Sequence, residues 1–494
     1  MTAFFCWSPV LFMALLAIVF KRPALDLAVI CLLFTFGLAV FYFQTPAGAA
    51  ALAGADGVLT TLPLLLVVFA GIFLCNLLME TGSLKRIVEW FSGGVRNAHH
   101  REWLIALGVA NFMEGAGVIA EPVVAPMLRA AGTPPMGAAA LSIIGYSGLM
   151  TLELAGIIIT VLSLATGLPI GELGIASAWL SIPATICMAA CVPLFSGLSG
   201  EKWRRFLPPM ACGLLVGSAS LASAYLLGAA ISGMAGGLAL IIALILAGSR
   251  RLPIHKDIVR DLAPFAFLLI VLPMVNAVPT LNQLTYQKLI FTLQIIPAHK
   301  IVFRPFYSSY LYLFAACLLT VWLFHWPQDR LFPVLKKSLR IGLRVSLTMG
   351  LFGAMGQMIA YTGYSDGFAE FHPQQNIPWL IAHGLVENTG KYYPIFAPLL
   401  GWVGTFLTGY GVASFMLFGL LQVETARLLG VSPVWLAAGL AVGASLGSIS
   451  SPFKIALAAP MCEAVGLEGL ILRKTIPLGL AAALVIGLIL WLLV

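Results

Sequence analysis

Val109-Ala-Asn-Phe-Met-Glu-Gly-Ala-Gly-Val118 and Val403-Gly-Thr-Phe-Leu-Thr-Gly-Tyr-Gly-Val412 share one pattern, V-x-x-F-[ML]-[ET]-G-x-G-V. A second pair follows in the same order: Gly132-Thr-Pro-Pro-Met-Gly-Ala-Ala-Ala-Leu141 and Gly430-Val-Ser-Pro-Val-Trp-Leu-Ala-Ala-Gly439. Each second block is followed by a glycine 13 residues from its start, Gly145 and Gly443. With 49 glycines in the chain a single G-x-G match means little, but two blocks in one order point to an internal repeat.

The surroundings of these blocks set the solvent. Of 494 residues, 61% are hydrophobic and 9% charged, whereas a water-soluble domain carries roughly 25% charged residues. So few charges cannot cover a water-facing surface, so lipid is the solvent for most of it. Runs such as Leu62–Leu78, Tyr310–Phe324 and Leu478–Val494 approach or reach the ~17–25 apolar residues that cross a bilayer. The expected fold is an all-α polytopic membrane protein.

The net charge of +8 does not indicate nucleic-acid binding, because the basic residues fall in short clusters between apolar runs, the pattern that orients spans in membranes. A walk along the chain places about 12 transmembrane helices, near 3–20, 24–43, 59–79, 135–166, 174–196, 208–227, 230–248, 261–276, 309–326, 339–362, 434–466 and 475–494. Leu84–Phe91 reads as an amphipathic helix lying in the interface. The stretches 103–131 and about 394–429, which hold the repeated motif, read as re-entrant hairpins. The spans 135–166 and 434–466 read as broken, the first at Gly145-Tyr-Ser-Gly148.

On this walk 21 of the 27 Lys and Arg lie inside, among them Lys21, Arg22, Arg96, Lys202, Arg204, Arg250 and Arg251. Five lie outside and one, Lys454, falls within a span. Lys21-Arg22 follow the first apolar run, so that run is expected to be retained as a span with the N-terminus outside. The C-terminus also finishes outside, and the location is a bacterial inner membrane. The two hairpins then open from opposite faces. The chain divides into residues 1–200, linking helices in 201–260, and 261–494, two halves of inverted topology. Such repeats mark transporters, with the site near the midplane where helices break.

Cys31, Cys75, Cys187, Cys191, Cys212 and Cys317 lie in apolar runs. Cys187 and Cys191 share a helical face but have no spaced His or acidic partner for a metal, so packing is the better reading. No cofactor is expected. H-E-x-x-H, G-x-S-x-G and Walker A sequences are absent, which argues against an enzyme and against an ATP-driven pump.

Two stretches resemble a known family. Phe112-Met-Glu-Gly-Ala-Gly-Val-Ile-Ala-Glu-Pro122 parallels F-[LI]-E-G-A-x-G-F-G-[TA]-P, and Leu400-Gly-Trp-Val-Gly-Thr-Phe-Leu-Thr-Gly-Tyr-Gly-Val-Ala-Ser-Phe-Met-Leu-Phe-Gly-Leu-Leu-Gln422 parallels I-G-W-L-G-x-F-x-T-G-S-x-T-x-S-N-x-L-F-G-x-L-Q. Gly447-Ser-Ile-Ser-Ser-Pro-Phe-Lys-Ile-Ala456 and Gly466-Leu-Glu-Gly469 to Arg473 fit as well. In these residues the chain resembles the L-lactate permease family, carriers of lactate and glycolate that work as proton symporters. The resemblance implies proton-coupled symport of a small 2-hydroxy monocarboxylate. Another small organic anion, Na⁺ coupling, export and a homo-oligomer stay open.

The departures cluster where substrate is expected: Glu121 for Thr or Ala, Tyr410 and Phe415 for Ser and Asn, Tyr146 to Glu153 for N-x-x-P-V-x-F-G, and Lys454 for a small polar residue. The expected substrate contacts are Gly115, Gly117, Tyr146, Ser147, Thr408, Gly409, Gly411, Ser451 and Lys454. Glu114 and Glu153 are expected to couple protons, because an intramembrane carboxyl is costly unless paired, protonated or hydrated. Glu114 has a second reading, tying down free backbone N–H groups at the hairpin tip. Glu121 is expected near the inner mouth, solvated. Lys454 must pair with Glu114 or Glu153, or attract an anion.

Overall fold

A computed structural model of the chain describes residues 2–18, 20, 23–95, 97–196, 205–248, 255–297, 299–409 and 411–494. Lys21, Arg22, Arg96, Lys202, Arg204, Arg250, Arg251 and Tyr410 lie outside the described residues. The first three helices are α1 (Thr2–Ile18), α2 (Ala24–Gly37) and α3 (Ala47–Glu80). Helix α4 (Ser83–Gly93) buries Leu84, Ile87 and Phe91 and exposes Lys85 and Glu89, the amphipathic pattern the sequence predicts.

The first repeated motif lies on a helix that breaks and turns back. Helix α5 (Ala98–Trp103) is capped by the Asn97 side chain, which accepts from the His99 N–H at 2.8 Å. It continues through a wider π-type turn, Leu104–Val109, into α6 (Ala110–Gly115). After a break, α7 (Glu121–Ala130) runs on to the turn before α8 (Pro135–Ser147). The next span is interrupted by two tight turns at Met150–Gly156 and resumes as α9 (Ile157–Thr166). Then come α10 (Ile170–Phe195), α11 (Leu207–Leu226), α12 (Ser232–Gly248) and α13 (Lys256–Ala277).

A short helix, α14 (Pro279–Asn282), leads to an antiparallel hairpin of β1 (Phe291–Ile296) and β2 (His299–Phe303), with Phe291 paired to Phe303. The sequence walk leaves this stretch between the spans at 261–276 and 309–326 and assigns it no strands. Helix α15 (Ser309–Leu323) returns to α16 (Gln328–Ala360). Helix α16 starts earlier than the expected span at 339, so Lys336 and Lys337 ride on the helix rather than in the loop before it. Helix α17 (Ile377–Thr389) is capped by Asn376. The second repeated motif forms α18 (Phe396–Thr408) and α19 (Gly411–Leu429). The chain ends with α20 (Pro433–Gly447), a turn at Ser448–Ser450, α21 (Pro452–Ala458) and α22 (Glu468–Leu493).

Among the described residues nine helical stretches are long and apolar enough to cross a membrane. Shorter apolar helices include Leu154–Thr166, Ser309–Leu323 and Pro452–Cys462. The architecture is that of an all-α polytopic membrane protein.

Glycine decides the closest helix contacts. Helices α3 and α16 cross where a Cβ on Gly57 would lie 2.2 Å from the Gly353 carbonyl oxygen, and one on Gly353 2.7 Å from that of Gly57. Gly145 and Gly443, expected at helix breaks, instead lie inside α8 and α20. A Cβ at Gly145 would sit 1.6 Å from the Ala106 oxygen, and one at Gly443 1.9 Å from the Pro398 oxygen. Both glycines therefore bring a helix against the backbone of the motif-bearing helix, and the breaks fall a few residues later. A third seam joins α12 to α6: added Cβ atoms would lie 2.2 Å from Met234 N at Gly115 and 2.4 Å from Phe112 N at Gly237.

Polar pairs anchor one face. Asp261 of α13 is buried and takes Arg86 of α4 in two hydrogen bonds, 2.6 and 2.7 Å, with Ser83 donating at 2.8 Å. Arg129 pairs with Glu463 at 3.1 Å. They lie at the end of the helices that also carries Lys85, Arg101, Arg260, Arg330 and Lys337, called below the basic-rich face. The β1–β2 hairpin lies at the other, basic-poor face.

Candidate functional site

Two breaks bring the site together. After α6 the chain passes Gly117 in a left-handed conformation (φ 83°), which glycine adopts without a Cβ penalty. This turn sends α7 back with Glu121 in its first turn. After α20 the chain passes Ser448–Ser451 and restarts at Pro452, which suits a first helical turn. That restart places Lys454 one turn into α21.

The two residues meet. Lys454 Nζ lies 3.0 Å from Glu121 Oε1. Tyr146, near the end of α8, joins them: its hydroxyl donates to Glu121 Oε1 at 2.5 Å and accepts from Lys454 Nζ at 2.8 Å. Glu121 and Tyr146 are fully buried, and the Lys454 side chain is 13% exposed. The expectation of a solvated Glu121 is thus corrected: the tight turn before α7 points it inward. The expected partner of Lys454 is corrected too, from Glu114 or Glu153 to Glu121. These two departures from the family's pattern together form an ion pair, and read jointly they were the signal that could have found it.

Glu114 is buried and its Oε1 accepts the Ala120 N–H at 2.9 Å. This bond satisfies a backbone donor left free by the break, in line with the second reading of that residue. Glu153 is fully buried between the two turns of the broken span, and neither of its oxygens has a partner among the described residues. Its neighbouring charges are Glu114, Lys454 and Glu121. Three carboxyl groups thus surround one ammonium group where little water reaches. Among the described residues Glu121 Oε2, Thr151 Oγ1 and Ser451 Oγ are also buried without partners.

The second motif closes the site from the other side. Gly409 takes the same left-handed turn (φ 83°) as Gly117, and a Cβ on it would meet Phe453 Cβ at 2.9 Å. The matched glycines therefore do not have matched backbones, since in the sequence pattern Gly409 aligns with Gly115. A Cβ on Gly411 would meet Met150 Cε at 3.0 Å, and Ser448 Oγ donates to Met150 Sδ at 2.8 Å, so the two broken spans touch at their breaks. Thr408 donates to the Gly404 carbonyl at 2.7 Å, beside that turn. Ser147 is turned away, donating to the Ile143 carbonyl of its own helix at 2.7 Å. Gly115 serves the α12 seam. Of the expected substrate contacts the structure brings Tyr146 and Lys454 together directly and places Gly409, Gly411 and Ser451 at the breaks around them.

A cavity of about 460 Å³ on the basic-rich face, lined by Lys85, Arg101, Pro122 and Val123, reaches the residue next to Glu121. Cys191 donates to the Cys187 carbonyl at 3.3 Å within its own helix.

The family model described as L-lactate permease matches residues 2–494. An L-lactate permease of Streptococcus iniae is 26% identical over 458 residues, 87% of this chain and 92% of that protein. Shorter matches are to the glycolate permease GlcA of Escherichia coli K12, 41% identical over 105 residues (21% of this chain, 19% of that protein), and to that strain's L-lactate permease, 32% over 177 residues (36% and 29%). The chain belongs to the L-lactate permease family.

Proposed function

We propose that this chain is a secondary active transporter that carries a small 2-hydroxy monocarboxylate, such as lactate or glycolate, into the cell together with protons across the bacterial inner membrane. The observation that carries this reading is the buried Lys454–Glu121 pair bridged by Tyr146 at the meeting of two broken spans. In the resting state the ammonium group is held by Glu121. An incoming carboxylate competes for the same ammonium group, and the Tyr146 hydroxyl can turn to it. Glu121, released in a dry space, is then neutralised by a proton, because an unpaired buried carboxylate is strongly unfavourable. One proton thereby accompanies one anion. Glu114 and Glu153 extend the proton-binding group.

The geometry favours the wider plan as well. On our reading the breaks after α6 and α18 are the tips of re-entrant hairpins, and about 12 helices cross the bilayer with both termini outside. Residues 1–200 and 261–494 are the two halves of an inverted repeat joined within 201–260. The α3–α16 glycine crossing supports this, because Gly57 and Gly353 are separated by nearly the same interval as the repeated sequence blocks. Exposed backbone at the tips is tolerated at membrane depth only where it borders protein or a cavity.

A second reading has its own observation. The pattern that the family resemblance implies holds Thr or Ala where this chain has Glu121 and a small polar residue where it has Lys454, so a different small organic anion, Na⁺ coupling or export accounts for the pair equally in chemical terms. Uptake of a panel of labelled carboxylates into proteoliposomes, under imposed pH or Na⁺ gradients, tests both. Uptake of lactate or glycolate driven by an inward proton gradient is expected. No uptake of any hydroxy acid removes the leading reading.

A further inference from the structure

Glu153 has no role in the Lys454–Glu121 pair, yet it is the one carboxyl group of the broken span, it is fully buried, and neither of its oxygens is bonded among the described residues. The backbone beside it is unusual. Leu154, Ala155 and Gly156 take positive φ in succession (50°, 51° and 74°), and only the last is a glycine. Such strain persists where the surrounding structure holds it, commonly at working sites. This turn presents Ala155 and Gly156 to a separate cavity of about 130 Å³, room for several water molecules, since one needs about 10–15 Å³ on this measure.

The rest of the lining comes from α9, α10, α11, α13 and α15 and from the links before α12 and α15. Thr160 belongs to α9, Ile175 to α10, Asn276 to α13 and Ser309 to α15. Ser309 is buried and its hydroxyl is unpartnered among the described residues. Gly171, also on the lining, is exposed. On its inner side Ala229 and Ala230 precede α12, whose Gly233 approaches Glu153 so closely that a Cβ there would be 3.0 Å from Glu153 Cγ. The lining supplies hydroxyl, amide and carbonyl oxygens and no positive charge. Such a lining suits water and a small cation and holds no positive charge to pair with a carboxylate.

We propose that this cleft is the route by which the coupling cation reaches Glu153 from the basic-poor face, apart from the path of the organic anion. The inference rests on the symport reading above. The groups facing Glu153 are Glu114 on α6, Glu121 on α7 and Lys454 on α21, so a cation arriving there offsets an excess of negative charge, and the Lys454–Glu121 pair is then relieved of it.

The test fills the cleft from two sides, with Thr160→Trp and Ile175→Trp in the full chain reconstituted in liposomes, and Thr160→Ser as the conservative control. Exchange of labelled for unlabelled lactate at equal pH on both sides needs no net cation movement, whereas gradient-driven uptake does. The expected result is a loss of gradient-driven uptake of tenfold or more in either Trp variant, with exchange kept within about twofold and Thr160→Ser unaffected. The arms with pH and Na⁺ gradients tell which cation is carried. Retention of both activities, or equal loss of both, overturns the route. A readout independent of cargo uses Glu153→Cys: Ag⁺ added at the basic-poor face should block later alkylation of the introduced thiol, and Thr160→Trp should slow that block at least tenfold. An unchanged rate overturns the cleft even if no hydroxy acid is transported, and a slowed block without any lactate uptake would sink the symport reading instead.

Discussion

Lys454 cannot be understood without Glu121. Removing one member of a buried ion pair leaves an uncompensated charge, which costs about 3–5 kcal/mol, while removing both can be close to neutral. Lys454→Ala and Glu121→Ala are therefore each expected to lower the thermal midpoint in detergent markedly. The double variant Glu121→Thr/Lys454→Ser, which adopts the small residues of the family's pattern, is expected to recover most of it. Transport should separate from stability. If Lys454 meets the substrate, the double variant folds but binds hydroxy acids at least tenfold more weakly; unchanged affinity would show the pair to be structural. At this scale the sequence was partly legible. A lysine after a proline break in an apolar run announces a charged site, and it did so here. Its partner was not legible, because the direction of Glu121 depends on the left-handed turn at Gly117, a backbone conformation that the neighbouring glycines at 115 and 117 do not distinguish.

Elements are held by contacts that composition alone does not locate. Gly145 and Gly443 were legible as a matched pair but not as packing positions, since a glycine in an apolar run signals a break or a close approach with the same letter. The structure decides for approach. Gly145→Ala and Gly443→Ala should each cost roughly 3 kcal/mol, the upper part of the overpacking range, because the atoms met are backbone oxygens and cannot swing away. Gly469→Ala in α22, where nothing lies within 4 Å, should instead stabilise by about 0.5–1 kcal/mol. Denaturation of the three purified variants in parallel checks the contrast.

The β1–β2 hairpin carries a second element-scale expectation. His299 Nδ1 lies 2.6 Å from Asp56 Oδ2 on α3, its Nε2 lies 3.1 Å from the Leu164 carbonyl, and Gln357 of α16 donates to the same Asp56 oxygen at 3.3 Å. The Tyr361 ring stands 6.4 Å away. Burial pushes the His299 imidazole down, but the Asp56 carboxylate outweighs it and the net movement is upward. A group raised on folding contributes its stability in full below the unfolded value near 6.5 and loses it as pH climbs through the folded value. Hydrogen-exchange protection of residues 291–303, corrected for intrinsic rates, should fall as pH rises through that window. In His299→Gln it should be flat; a persisting pH dependence would place the titrating group elsewhere.

For the whole molecule, the apolar runs and basic clusters were enough to predict a helical membrane protein, because hydrophobic length and charge placement act locally along the chain. Topological sidedness is the part that still rests on charge counting. Single-cysteine labelling in intact cells with a membrane-impermeant reagent should reach Lys300→Cys and miss Lys85→Cys; the reverse outcome would turn the molecule over. The cysteines favour this experiment, since among the eight native thiols Cys6, Cys31, Cys75, Cys191, Cys212, Cys317 and Cys462 are buried.

The glycine seam between α6 and α12 has a mechanical meaning. On the repeat reading proposed above α12 belongs to the link between the halves, and its Gly233 and Gly237 seat the helix that carries Glu114 at backbone distance. The helices of the second motif have no such seat on a linking helix and pack mainly on α20 and α16. On the repeat and symport reading proposed above, two arms of similar sequence would be mounted unlike one another: the first, keyed to α12, would serve as the stator, and the rocking that exposes Lys454 to one face and then the other would fall to the second arm, with the seam as its fixed bearing.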